Sequence, residues 1–277
     1  MILDGKIIAK KINEETRNII ANTEKTPKLV TVSVDPDDST MAYINSQGKN
    51  ASKLGIDFEH INLSGADTKM LLAKIHELNI DGNVDGIMIS HPLPSEIDEL
   101  EALKALSPEK DIEGRTPANI GLIVYEKPYF YPCTAEAVME MLDYYSIPTK
   151  GKNAVIIGRS STVGKPLALM MLQRKHNATP RVCHTGTENM NGNIISADIL
   201  VVAAGKYGIV NTEDISQDTV VLDVGINFVE GKLVGDVKRD EKLEEERNIS
   251  ISPVPRGVGT VTTAILMRNV ALNCRRV

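Results

Sequence analysis

The stretch best suited to chemistry is Gly158-Arg159-Ser160-Ser161-Thr162-Val163-Gly164-Lys165-Pro166, which follows the apolar run Ala154-Val155-Ile156-Ile157 and precedes an apolar helical pattern. Strand, glycine turn and helix in that order build a phosphate site. The first N–H groups of a helix lack internal partners and the helix dipole is positive there, so a pyrophosphate is stabilised. Gly158, Arg159, Ser160, Val163 and Gly164 are the candidate contacts. The spacing departs from G-x-G-x-x-G, because Ser160 and Val163 stand where the second and third glycines would be. A tight strand-to-helix turn in any parallel α/β protein is the plain alternative.

The end of the next strand decides which dinucleotide such a turn takes. Roughly twenty residues past the first glycine, an Asp or Glu marks a free ribose hydroxyl. This chain has His184-Thr185-Gly186-Thr187 there, with no carboxylate to repel a phosphate. Arg159 offers a fork of donors suited to a phosphate monoester, and the Thr185 hydroxyl could add a bond. The reading is NADP rather than NAD. The alternative for Arg159 is a surface arginine facing solvent or a carboxylate.

The elements that must position these residues fit a two-domain α/β chain. Its 277 residues and 42% hydrophobic content can fill two ordinary cores. A net charge of −6 with no Trp provides no broad basic surface, so nucleic acid is not an expected partner. Met1 to Lys11 carries Asp4, Lys6, Lys10 and Lys11, which interrupt any signal-peptide core, and no later run has membrane-span length. Cys133, Cys183 and Cys274 lie far apart, as in a reducing compartment. A cytoplasmic location is expected, without membrane contact. The five histidines show no metal-ligand spacing, and no metal is expected.

Hydrophobic periodicity predicts helices near Gly5–Asn22, Thr40–Leu54, Thr68–Leu78 and Ile97–Leu106, alternating with strands at Leu29–Val34, Phe58–Leu63 and Gly86–Ser90. Such strands lie parallel, buried by helices on both faces. Ser107–Pro132, rich in Pro, Gly and charge, reads as a functional loop and interdomain crossing. A helix over Thr134–Tyr145 leads to strands at Ala154–Ile157, Arg181–His184, Ile199–Ala203 and Val220–Val224, the pattern of a doubly wound nucleotide fold, closed by a helix over Val261–Leu272. The expected domains are 1–125 with a returning helix 258–277, and 126–257.

In this setting the chain resembles the methylenetetrahydrofolate dehydrogenase/methenyltetrahydrofolate cyclohydrolase family. The likeness is carried by Ile2-Leu3-Asp4-Gly5-Lys6, Tyr43, Pro92-Leu93-Pro94, Pro108-Glu109-Lys110-Asp111, Pro132-Cys133-Thr134, the phosphate turn, Cys183-His184-Thr185, Asp223-Val224-Gly225-Ile226-Asn227, Gly235-Asp236-Val237 and Pro253-Val254-Pro255-x-Gly257-Val258-Gly259. It spans nearly the whole chain. The resemblance implies a folate domain completed by the last helix, a Rossmann-like NADP domain, a cleft joining nicotinamide to the folate one-carbon bridge, and a homodimer. It implies hydride transfer from 5,10-methylenetetrahydrofolate to NADP, then hydrolysis of the methenyl product to 10-formyltetrahydrofolate. The substrate is a reduced folate, which can carry a polyglutamate tail.

Carried over by resemblance, the catalytic positions are Tyr43, Gln47 and Glu113. Folate contacts are these three with Ile89, Ser90, His91, Pro255, Gly257, Gly259 and Thr262, and Ile226 joins the cofactor set. Tyr43 could stack on the pterin or aminobenzoate and bond through its hydroxyl, or it could be a core tyrosine. The family's catalytic lysine is Gln47 here. Ring opening needs proton transfer by a group of tunable pKa, and an amide does not titrate. Lys49 sits two helical positions on, turned to nearly the opposite face.

Ser90 stands for the family's glutamine and His91 for a leucine, with adjacent strand residues facing opposite ways. Glu113 replaces an aspartate that grips the pterin and keeps its charge and acceptors. Arg256, in place of a glycine, could face the folate's glutamate tail or solvent. Retained dehydrogenase activity with weak or absent cyclohydrolase activity is expected. The rivals are a related NADP dehydrogenase of another small acid and a non-catalytic NADP- or folate-binding protein.

Overall fold

The computed structural model describes residues 1–276, and its backbone forms two compact units. One comprises Lys10–Cys133 and the chain from Thr263 onward, the other Met1–Ala9 and Thr134–Thr262. These limits differ from the expected 125/126 boundary and from a helix returning at 258. The first residues join the second unit because Met1 and Leu3 donate to the carbonyls of Ile249 and Ile251, while the Ile251 N–H returns a bond to Met1.

The chain begins with α1 (Gly5–Ala21), β1 (Lys28–Ser33), α2 (Asp38–Leu54), β2 (Asp57–Asn62), α3 (Thr68–Ile80), β3 (Gly86–Ile89) and α4 (Glu99–Ala105). Asp37 starts α2 by accepting the Thr40 N–H at 2.7 Å, and Gly55 ends it in a left-handed turn at φ 80°. The three strands form a parallel sheet of order β2-β1-β3.

Alternation gives this sheet two unlike faces. Val30, Val32, Val34, Ile87 and Ile89 pack on Leu71, Ile75 and Leu78 of α3 and Ala102 of α4. Each such side chain contributes about 1.5–3 kcal/mol. The opposite face bears Thr31, Ser33, Met88 and Ser90, and α2 covers it through Gln47. That face is polar, with a Ser33–His60 hydrogen bond of 2.8 Å.

The expected loop over 107–132 contains a helix, α5 (Pro117–Ile123), begun by the Thr116 side chain with proline in its first turn. Its seven residues are too few to show the periodicity that identifies longer helices. Buried Asp111 organises the turn before it, accepting from the Thr116 N–H at 2.7 Å and from Asn119 Nδ2 at 2.9 Å. Gly114 has φ 69°, and a side chain there would run into the Tyr131 carbonyl, so only glycine fits.

The second unit continues from α6 (Cys133–Tyr144), whose first residue still belongs to the first unit, through β4 (Asn153–Ile157), α7 (Gly164–Met171), β5 (Thr179–Cys183), α8 (Met190–Ile195) and β6 (Ile199–Val202). β7 (Val210–Asn211), β8 (Val220–Asp223), β9 (Asn227–Val229), β10 (Lys232–Val234), β11 (Val237–Lys238), α9 (Glu241–Glu246), β12 (Ser250–Ile251) and α10 (Val258–Arg276) follow. Five parallel strands run β12-β8-β6-β4-β5, with the first strand of the unit inside the sheet as doubly wound folds require. β5 begins and ends earlier than its pattern predicts, leaving His184 in the turn beyond it. The β9–β10 hairpin, also unpredicted, turns on Glu230 and Gly231, both at positive φ.

Candidate active site

Around α2 and the ends of the first sheet, the structure assembles Tyr43, Gln47, Glu113, Ser90 and His91 within one unit. Tyr43 and Gln47 lie one helical turn apart and share a face. Tyr43 is 44% exposed as a residue, while Gln47 is buried and its amide acts on the Tyr43 phenol. The Gln47 amide oxygen accepts from Thr31 Oγ1 at 3.3 Å, and its nitrogen donates to Met88 Sδ at 2.9 Å. Lys49 is exposed, as its helical position requires.

Glu113 follows the Asp111 turn, and its Oε2 lies 3.6 Å from Arg115 Nη1. Arg115 bonds more closely to Glu99 Oε1, at 2.7 Å, and the same oxygen lies 3.6 Å from His91 Nδ1. Burial pushes the Glu113 carboxyl up to about 7, offset in part by Arg115 and reinforced by Asp111 and Glu99. Burial and then the Glu113 charge push the Tyr43 phenol up to about 12, so it stays protonated.

His91 behaves oppositely. Burial, followed by repulsion from Arg115, lowers its pKa to about 4, which leaves a neutral ring at pH 7. Such an imidazole is a poor substitute for a titrating lysine. His91 Nε2, Ser90 Oγ and Arg115 Nε are buried without a hydrogen-bond partner. Ile89 is placed apart from these groups, its side chain in the apolar core beneath α3 and α4.

The remaining predicted positions belong to the second unit. Gly158, at φ 124°, presses against the Ala203 carbonyl, and Gly164 at the start of α7 presses against the Gly158 carbonyl. Any side chain would break this turn. Ser160 holds it by accepting the Val163 N–H at 3.1 Å. Arg159 and Thr185 are exposed, and the turn after β5 is closed by the Thr187 hydroxyl and the His184 ring rather than by a carboxylate. Bare backbone, a helix start and a nearby cation fit a dinucleotide phosphate.

Ile226 is exposed, and its Cδ1 lies 4.0 Å from where a side chain on Gly259 would begin. Thr262 Oγ1 donates to the Val258 carbonyl at 3.0 Å, Gly257 fits beneath the Pro253 carbonyl, and Pro255 is exposed. The Arg256 guanidinium pairs with Asp4 while its side chain stays half exposed to solvent. Among the described residues no cluster of His, Cys, Asp and Glu could hold a metal ion.

Sequence reasoning missed Arg115 and Glu99. Arg115 looks like one surface cation in a charged loop, and Glu99 like the acidic start of a helix. Their distance along the chain hides the ion pair.

Residues 3–113 match the tetrahydrofolate dehydrogenase/cyclohydrolase catalytic domain, and residues 132–277 match the NAD(P)-binding domain of the same family. The chain is 46% identical to "Bifunctional protein FolD" of Thermosipho africanus over 100% of its own length and 99% of that protein. A crystal structure of the bifunctional dehydrogenase/cyclohydrolase FolD from Campylobacter jejuni superposes with TM-score 0.94 at 34% identity, covering 100% and 99% of the two chains. The Trypanosoma brucei enzyme, solved with NADP and an inhibitor, gives TM-score 0.91 at 30% identity over 100% and 97%. The chain belongs to the tetrahydrofolate dehydrogenase/cyclohydrolase family.

Proposed function

We propose that this protein is an NADP-dependent 5,10-methylenetetrahydrofolate dehydrogenase whose cyclohydrolase activity is weak or absent. The observation that carries the reading is Gln47, a buried amide at the family's lysine position, committed to Thr31 and Met88. In the oxidation, a folate nitrogen lone pair moves toward the methylene carbon as hydride leaves it, producing the methenyl cation. The protein's share is alignment and exclusion of water, so no side-chain base is needed. Tyr43 would present its ring to the folate, Gln47 would hold the Tyr43 hydroxyl, and Glu113 would accept the pterin N–H donors as a carboxylate.

NADP, when bound, supplies the carbon that accepts hydride. Gly158, Ser160, Val163 and Gly164 would form its pyrophosphate cradle, Arg159 and Thr185 would contact the ribose phosphate, and Ile226 would border the nicotinamide. Hydrolysis of the methenyl cation differs, because a proton must leave the attacking water and another must reach the departing nitrogen. Neither Gln47 nor neutral His91 titrates near pH 7, and Glu113, which is raised to about 7, is taken up by the pterin in this reading.

The test is a paired assay on one sample. Reduced nicotinamide should accumulate with methylenetetrahydrofolate and NADP, while methenyltetrahydrofolate should decay close to its uncatalysed rate. Rapid enzymatic decay would overturn the loss of hydrolysis, and absence of reduction would favour a binding protein. The reading also takes the chain as a homodimer, which sedimentation equilibrium checks.

A further inference from the structure

Among the described residues, Arg115 is the one cation paired to both Glu99 and Glu113, which lie on different segments of the first unit. Its side chain is 13% exposed, against 20% for Glu113 and 50% for Glu99. The shorter contact goes to the more exposed carboxylate, so Glu99 anchors the guanidinium and leaves its other edge to Glu113.

We propose that Arg115, anchored by Glu99, is a positioning residue that aims the Glu113 carboxylate at the folate ring and sets its charge. The inference rests on the reading that Glu113 contacts the folate. With Glu99 holding the guanidinium, Arg115 Nη1 stands 3.6 Å from Glu113 Oε2 and favours one orientation of that carboxylate, whereas a lysine ammonium would impose no such plane. The unpartnered Nε of Arg115 and Nε2 of His91 border the same cluster, which leaves polar capacity unfilled beside Glu113.

The groups around Glu113 fix the sign of each substitution. Tyr43 of α2, Asp111 before the turn, Glu99 of α4 and Arg115 beyond Gly114 act on one another's charge here, His91 follows β3, and the Cys133 N–H donates to the Glu113 carbonyl. Arg115 is the cation among them. Glu99 acts twice, repelling the Glu113 charge and drawing Arg115 away from it. Removing Arg115 must therefore disfavour the Glu113 carboxylate, and neutralising Glu99 must favour it.

The experiment is the pH profile of KM for methylenetetrahydrofolate, from pH 5.5 to 9, in the unmodified protein and in Arg115→Met, Arg115→Lys, Glu99→Gln and Glu113→Gln. The unmodified protein should bind folate better as pH rises through about 7. Arg115→Met should move that limb up by about one pH unit and Arg115→Lys should restore part of it, while Glu99→Gln should move it down. KM should carry the change, with kcat at saturating folate moving less than about threefold.

If Glu113→Gln removes the limb and raises KM but the Arg115 and Glu99 variants leave the limb in place, the positioning role is wrong and the folate contact stands. If Glu113→Gln itself leaves KM and its pH dependence unchanged, the contact assigned to Glu113 is wrong. Glu99→Gln alters a half-exposed side chain, so it gives a reading even if Arg115→Met fails to fold. Shifts of equal sign in Arg115→Met and Glu99→Gln would also overturn the proposal, since general loosening moves both the same way.

Discussion

Gln47 Oε1 accepts a hydrogen bond from the Thr31 hydroxyl at 3.3 Å, which ties the amide on α2 to the polar face of the first sheet. A lysine at this place would put its ammonium beside the Thr31 hydroxyl, the Met88 thioether and the Tyr43 phenol. Burial disfavours the charged amine, so its pKa would fall toward the range useful for proton transfer. Gln47→Lys should therefore raise the enzymatic decay of methenyltetrahydrofolate by about 100-fold or more, the usual scale of general acid–base catalysis. NADP reduction should persist. An unchanged hydrolysis rate in a folded variant that still oxidises methylenetetrahydrofolate would mean that more than Gln47 limits ring opening.

Glu113 links activity to stability with opposite signs. Its carboxyl has an ordinary value near 4.5 and is raised to about 7 by burial in the folded chain. The folded state then binds more protons than the unfolded chain between these values. Its contribution to stability is fully present below about 4.5 and is lost as pH rises through about 7. Glu113→Gln removes the penalty at higher pH and should stabilise the protein at pH 8 by about 1–3 kcal/mol, with little gain at pH 5. Denaturant midpoints at the two pH values test this. Equal effects at both would show that the carboxyl titrates normally.

Arg159 carries the cofactor prediction. It is exposed beside Gly158, in a unit whose β5 ends without a carboxylate. Arg159→Gln should weaken NADP binding by about 10- to 100-fold, the scale of a lost charge-assisted hydrogen bond. NAD binding should change less than about threefold. Titration with both dinucleotides decides, and an equal loss for each would move Arg159 from the ribose phosphate to a shared part of the cofactor.

The parts legible in the sequence were those set by local rules. Short apolar runs located β1, β3, β4, β6 and β8, and glycine requirements at Gly158 and Gly164 marked the turn between β4 and α7. What stayed hidden depended on pairing across the chain. The link from His91 through Glu99 to Arg115 and Glu113 joins three segments, the end of β3, α4 and the 113–115 turn, that no spacing connects. α5 escaped notice because its start depends on Thr116 and its support on Asp111, a tertiary arrangement with little periodic signal.

The Asp236 carboxylate provides a test of how the phosphate turn is held. It is wholly buried, and its Oδ2 accepts from the Ala204 and Gly205 N–H groups at 2.6 and 2.9 Å, while Oδ1 accepts from Asn227 Nδ2 at 2.9 Å. Ala203, next to that pair, is the residue whose carbonyl abuts Gly158. Asp236→Asn keeps the shape but makes one acceptor a donor. The amide oxygen can face Ala204 and Gly205 only by turning its nitrogen on Asn227, whose own Nδ2 is also committed to the Gly235 carbonyl. One opposed donor pair follows, at a cost of about 1–3 kcal/mol. The variant should melt several degrees lower, as that cost implies. NADP affinity should fall several-fold because the 203–205 turn loses its anchor next to Gly158. Folate contacts through Tyr43, Gln47 and Glu113, which lie in the other unit, should hold. A lower melting temperature with unaltered NADP affinity would separate Asp236 from the cofactor turn and confine its role to stability.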